Sequence, residues 1–149
     1  MNFLVAVDGS NESLAALERA IEMADPVGAS VTVVHAVNPD VYELGGMEPI
    51  TTLADADERL LVESLESAEE RGEDILSEAA SVAEEQGFDV DVELLYGQPA
   101  QQIVEYADEH GVDAVYLGHR GMSDRLEGLL GSVAKSVLGQ AEVPVTVVP

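Results

Sequence analysis

Short apolar runs alternate with helical patterns along the whole of this 149-residue chain, and nothing else in it constrains the fold as strongly. The apolar runs occupy residues 3–7, 31–37, 90–96, 114–117 and 143–148. Between the first two, Leu14, Leu17, Ile21 and Ala24 recur at the spacing of one helix face. Mostly continuous apolar strands separated by amphipathic helices predict a parallel sheet covered on both faces, because only a strand buried on both sides can be apolar throughout. The expectation is an α/β protein of order βαβαβαβαβ, forming one domain over residues 1–149.

Local signals fix the element ends. Asp8-Gly9-Ser10-Asn11 reads as a turn in which Ser10 or Asn11 caps the first helix. Asp25-Pro26 and Gly28 end that helix. Residues 38–54 carry Pro39, Gly45, Gly46 and Pro49 without sustained periodicity and read as a long loop or short irregular elements. A long helical pattern follows over about 55–86, with Leu61, Leu65, Ala68, Ile75, Ala79 and Val82 as its apolar stripe and Gly72 as an expected bend. Its twelve acids and two arginines over 55–85 read as a solvated face. Val90, Val92, Leu94 and Tyr96 alternate with Asp91 and Glu93, which predicts an edge strand. Pro99 suits the first turn of the next helix, and the last helix runs from Ser132 to about Leu138.

Function is most legible after the fourth run. There the chain reads Gly118-His119-Arg120-Gly121, then nine residues, then Gly131-Ser132. Glycines at a strand-to-helix junction let the backbone approach a ligand, and the free N–H groups at the helix start attract anions. Ligands of parallel sheets sit at the C-terminal strand ends where the strand order reverses. Asp8 and Gly118 would therefore flank one crevice if the first and fourth strands are neighbours.

Charge singles out the same stretch. The chain has six cations against thirty acids, a net charge of −24, yet Arg120, Arg125 and Lys135 all fall within residues 118–135. With Asp124 and Glu127 as the acids there, the local balance is three minus two, or +1. An anionic small molecule suits that segment, whereas the overall charge repels DNA and RNA. Thirty acids with a single Lys also point to a cytoplasm of very high salt, where the Debye length shrinks to about 3 Å at molar ionic strength.

Several classes are disfavoured. No Cys is present, which removes disulfides, thiol catalysis and Cys-based metal sites. His35, His110 and His119 are dispersed without ligand spacing, and structural roles are expected for the first two. The run at 3–7 is too short for a signal core and no run approaches membrane-spanning length, so a soluble cytoplasmic protein is expected. The last run, Val143-Pro144-Val145-Thr146-Val147-Val148, is apolar on nearly both faces. It is expected at a sheet edge covered by a second copy of the chain, a central position being the alternative.

The opening Phe3-Leu4-Val5-Ala6-Val7-Asp8-Gly9-Ser10, the glycine motif and the closing valine-rich run together resemble the universal stress protein family over essentially the whole chain. The resemblance implies a Rossmann-like, adenine nucleotide alpha hydrolase-like three-layer fold, with five parallel strands in the order 3-2-1-4-5 and four helices. It further implies the ATP-binding branch of the family and a homodimer joined through residues 143–148. On this sequence it places adenine near Ala6, Val7, Ala36 and Leu117, with Asp8 accepting from the adenosine part. Gly118, His119, Arg120 and Gly121 would wrap ribose and phosphates, and Gly131, Ser132 and Val133 would hold phosphates. The motif offers no Lys before its terminal Ser, so backbone dipoles must do more of the neutralisation than in a Walker A loop, with Arg120 the nearest substitute. Magnesium could accompany the phosphates, although no carboxylates are evidently arranged for it.

Asp8 also reads as an ordinary turn residue, and His119 as a loop bystander. The leading functional expectation is a regulatory, ATP-binding stress protein without efficient chemistry, since no acid–base pair or activated nucleophile is visible. A slow ATPase using His119 or Asp8 to position water is one alternative. A dimeric interaction module binding another ligand is the other. A phosphorylated receiver would need an acceptor Asp where this chain has Tyr96-Gly97, a flavodoxin would want a Ser/Thr-rich loop at 8–13, and a Rossmann dehydrogenase would show G-x-G-x-x-G after its first strand.

Overall fold

The central strand is the first one. In the computed structural model, which describes residues 1–41, 64–120 and 130–149, β1 (Asn2–Ala6) lies between β2 (Ser30–Val37) and β4 (Ala114–Gly118). β3 (Asp91–Tyr96) pairs with β2 at one edge, and β5 (Val145–Val148) with β4 at the other. All pairs are parallel, in the order β3-β2-β1-β4-β5. The order anticipated from the resemblance is therefore the observed one.

Helix α1 (Asn11–Ala24) follows β1, α2 (Leu65–Glu85) follows β2, α3 (Pro99–Glu109) follows β3 and α4 (Ser132–Gln140) follows β4. The signals at the starts of α1 and α3 act as expected, whereas α2 begins at Leu65 behind Ser64, whose extended backbone interrupts the helical pattern expected from about 55. Ser10 caps α1 by accepting from the Ser13 N–H at 3.1 Å, and Pro99 opens α3 behind a Gln98 cap. A short 3-10 turn, Asp25–Val27, ends α1, and Gly28 leaves it at φ +69°, a conformation that favours glycine.

Two apolar clusters make the three layers. One joins α1 and α2 to the sheet face carrying Phe3, Val5, Val31 and Val33. The other joins α3 and α4 to the opposite face, carrying Leu4, Val34, Val115 and Leu117. Residues alternating along β1 and β2 thus go to different clusters, which is why these strands read as unbroken apolar runs.

Three sequence expectations need correction. The helix over Gly72 is continuous, and the glycine serves close packing: a Cβ there would meet Leu94 Cδ1 at 2.8 Å and His35 Cδ2 at 2.9 Å. The apolar stripe of α2 extends to Leu76 and Ala83, both buried and neither anticipated; the expected helical turns and loop within 42–63, with Leu61, lie outside the described residues. β3 is an edge strand, but its alternation does not mark a buried face, since Val92 and Tyr96 are exposed while Leu94 and Leu95 pack inward. β5 also lies at an edge, beginning after Pro144, so the central alternative for this run fails.

Candidate functional site

Because β1 and β4 are paired, with Phe3 opposite Ala114 and Val5 opposite Tyr116, the chain leaves their C-terminal ends side by side. From β1 it turns into α1 on one face of the sheet, and α4 covers the other. The divergence leaves a cavity of about 260 Å³ above the ends of β2, β1 and β4.

Its floor and one wall are apolar. Ala6, Val34 and Leu117 from the sheet meet Ile103 of α3 and Ala134 of α4, with Ala36, Pro99 and Val133 at the margins. Its polar lining comes from Asp8, Arg71, Gly118 and Arg120 at the rim and from the buried Ser13, His35 and Gly131. An apolar slot with a few convergent polar groups suits a small amphipathic ligand.

The turn after β1 is held by its own side chains. Asp8 Oδ1 accepts from the Ser10 N–H at 3.0 Å, and Ser13 Oγ donates to the Ser10 carbonyl at 2.9 Å. Gly9 takes φ +88° in this turn. Asp8 therefore acts as a turn residue and at the same time faces the cavity. Gly118 has a packing role of its own: a Cβ at this position would stand 2.8 Å from the backbone carbon of Glu12 and 2.9 Å from the Ser13 nitrogen. The start of α1 can approach β4 because residue 118 has no side chain.

Beyond β4, the His119 N–H donates to the Val148 carbonyl at 2.7 Å, and the His119 carbonyl accepts from the Gly131 N–H at 2.8 Å. These bonds bring the two ends of the glycine motif together. Arg120 stands 3.8 Å from the Glu12 carboxylate across the rim. Gly131 is the N-cap of α4, and among the described residues no side chain caps this helix, whereas Ser10, Ser64 and Gln98 cap α1, α2 and α3. The first-turn N–H groups of α4 thus point from the cavity wall without a capping side chain among those residues.

The structure brings together Ala6, Val7, Asp8, Ala36, Leu117, Gly118, Arg120, Gly131 and Val133, all singled out from sequence. His119 and Ser132 adjoin the cavity without lining it, and Gly121 lies outside the described residues, as does Arg125. Sequence reasoning missed His35 and Arg71. His35 was expected to be structural, and its ring Nδ1 does bond the Val7 carbonyl at 2.7 Å in a buried setting, but the residue also lines the cavity. His110 stacks on Tyr106, their ring centroids 3.8 Å apart, well away from the cavity lining. Arg71 was absorbed into the acidic helix; its signal was that it is the one cation among eight acids over 65–85.

Among the described residues, no group of three or more His, Cys, Asp or Glu side chains is placed to hold a metal ion, and no helix is long and apolar enough to cross a membrane. The arrangement is equipped to bind: an apolar slot, a polar turn and backbone N–H groups beside a cation.

Comparison with known proteins agrees with this architecture. A family model, that of the universal stress protein family, matches residues 1–149. Universal stress protein MJ0531 of Methanocaldococcus jannaschii is 34% identical over 145 residues, covering 97% of this chain and 79% of that protein. The structure of the universal stress protein UspA from Lactobacillus plantarum aligns over 100% of this chain and 97% of its own, with a TM-score of 0.76 and 25% identity. The universal stress protein from Archaeoglobus fulgidus in complex with dAMP aligns over 100% and 98%, with a TM-score of 0.67 and 29% identity. On the family match and these relatives, the chain belongs to the universal stress protein family.

Proposed function

We propose that the chain binds an adenine nucleotide, ATP in the first place, and acts in the cytoplasm as a regulatory stress-response protein with no efficient catalysis of its own. The observation that carries this reading is the α4 N-terminus at Gly131, set on the wall of an apolar slot with Arg120 on its rim. Helix N–H groups and a guanidinium suit phosphate, and the slot formed by Ala6, Val34, Ile103 and Leu117 suits a purine. The solved relative bound to dAMP supports an adenine ligand. Asp8 would accept from the nucleoside, Gly118, His119, Arg120 and Gly121 would border ribose and phosphates, and Ser132 and Val133 would join Gly131 at the phosphates. Magnesium, if bound, would be held mainly by the phosphates.

The same reading includes a homodimer through β5, the edge strand among the described residues, which carries the partly exposed Val145 and Val147. Sedimentation in molar KCl tests it, and a monomer at micromolar concentration refutes it. It also includes a high-salt habitat, for which the net charge of −24 is the support.

The decisive experiment is a thermal titration with ATP and magnesium in molar KCl, run beside Gly131→Val and Ser132→Ala. Ligand at a hundred times its dissociation constant adds about 2.7 kcal/mol, which at this chain length raises Tm by roughly 5–11 °C. A saturable rise in the parent that is reduced in both folded variants supports the reading. An unchanged midpoint in the parent refutes it. Phosphate release above background in excess ATP would instead favour slow hydrolysis.

A further inference from the structure

The cavity has a second cationic wall that neither the glycine motif nor its helix supplies. Arg71 sits on α2, and the adjacent Gly72 packs against His35 of β2 and Leu94 of β3. Arg71 therefore belongs to the β2 end of the cavity, together with His35 and Ala36. Gly131 and Val133 belong to the β4 end. With β1 between β2 and β4, those ends are two strand spacings apart, or about 10 Å.

Direction matters too. In a parallel unit the crossover helix runs against its strands, so the N-terminal turns of α2 lie above the C-terminal strand ends. Helical side chains tilt toward the helix N-terminus. Arg71, two turns into α2, is thereby inclined toward the mouth of the crevice, in keeping with its place on the cavity rim. It is also the single cation of a helix with eight acids, three of which, Glu70, Glu73 and Asp74, are its near neighbours in sequence.

We propose that Arg71 is the base-end contact of the site: its flat guanidinium covers the purine ring of a nucleotide whose phosphates lie about 10 Å away at the start of α4. This rests on the nucleotide reading given above. A phosphate anchored at Gly131 leaves the base at the β2 end, where Arg71 is the cation on the rim. The residue type fits. A guanidinium stacks on a π-face and offers directional donors, neither of which a Lys ammonium provides. In strong salt, contact stacking survives where attraction at a distance is screened.

The test is equilibrium binding of adenosine, AMP and ATP in molar KCl to the parent, Arg71→Ala and Arg71→Lys, with melting curves to establish that both variants fold. Stacking of this kind corresponds to a loss of roughly 2- to 30-fold. Arg71→Ala is expected to weaken adenosine and ATP by the same factor, Arg71→Lys to recover little of it, and the hypochromism of bound purine to shrink in both. A loss confined to the phosphorylated ligands, full recovery by Lys or no loss at all overturns the assignment while leaving the nucleotide reading standing. A parent that binds none of the three ligands overturns that reading, and the assignment with it.

Discussion

Replacing Gly118 by Ala tests the packing of the site more directly than any change to a ligand contact. The added methyl carbon would stand 2.8 Å from the Glu12 backbone carbon, 2.9 Å from the Ser13 nitrogen and 3.0 Å from Glu12 Cβ. Optimal contact lies at about 3.5–4.0 Å, so the first turn of α1 must retreat by at least half an ångström, on the order of a tenth of a helical pitch. Neither side can yield easily. Strand β4 is fixed by its pairing with β5, where Gly118 lies opposite Val148, and the α1 turn is tied by Ser10, Ser13 and Asp8. Forcing an extra carbon into such a place costs about 1–3 kcal/mol. Removing glycine from the unfolded chain returns about 0.4–1 kcal/mol. The net expectation is a destabilisation of about 1–2 kcal/mol, and a Tm lower by roughly 2–8 °C for a chain of this size. Gly139→Ala is the control, because nothing lies within 4 Å of its Cβ and it belongs to α4; it should stabilise by up to about 1 kcal/mol. Thermal melts of both variants in molar KCl decide the matter. If Gly118→Ala melts at or above the parent temperature, the close approach of α1 and β4 is not what selects glycine there.

Further outcomes follow from other contacts. Glu12→Gln removes the carboxylate 3.8 Å from Arg120; ATP should bind roughly two- to fivefold tighter by calorimetry, in line with a partly exposed pair of up to about 1 kcal/mol, and adenosine should not change. Tyr106 has its hydroxyl pushed up to about 12, first by burial and then by a hydrogen bond to Glu93 and the charges of Glu93 and Asp91. The folded state holds this proton more tightly than the unfolded chain, so the associated stability is complete below the ordinary value near 10 and is lost as pH rises toward about 12. Tyr106→Phe should therefore flatten the alkaline fall in stability over that window, and an unchanged fall would rule out this origin. Raising KCl from 0.1 M toward molar concentration shortens the screening length from about 10 Å to 3 Å; Tm should climb along the series, and a flat series would remove the high-salt habitat from the reading.

What the sequence disclosed, and what it concealed, divides along a physical line. Strand and helix identity depend on short-range periodicity, so all five strands and the starts of α1 and α3 could be read from spacing and caps. The neighbours of each strand depend on contacts between distant segments, and their order came from resemblance, not from the runs themselves. The glycines show the same limit. Gly118 and Gly72 each read as local features, a ligand loop and a bend, yet what forbids a side chain at each is a segment far away in sequence: Glu12 and Ser13 for the first, His35 and Leu94 for the second. Arg71 was concealed for a related reason. A charge pattern records how acidic a helix is but not which of its residues overhangs a neighbouring strand, and that depends on where Gly72 seats α2 on β2 and β3. One small residue thus sets the height of the helix on the sheet and, with it, which side chain reaches the crevice. Gly72→Ala should on this account disturb the cavity through Arg71 and His35 even though residue 72 is absent from the cavity lining.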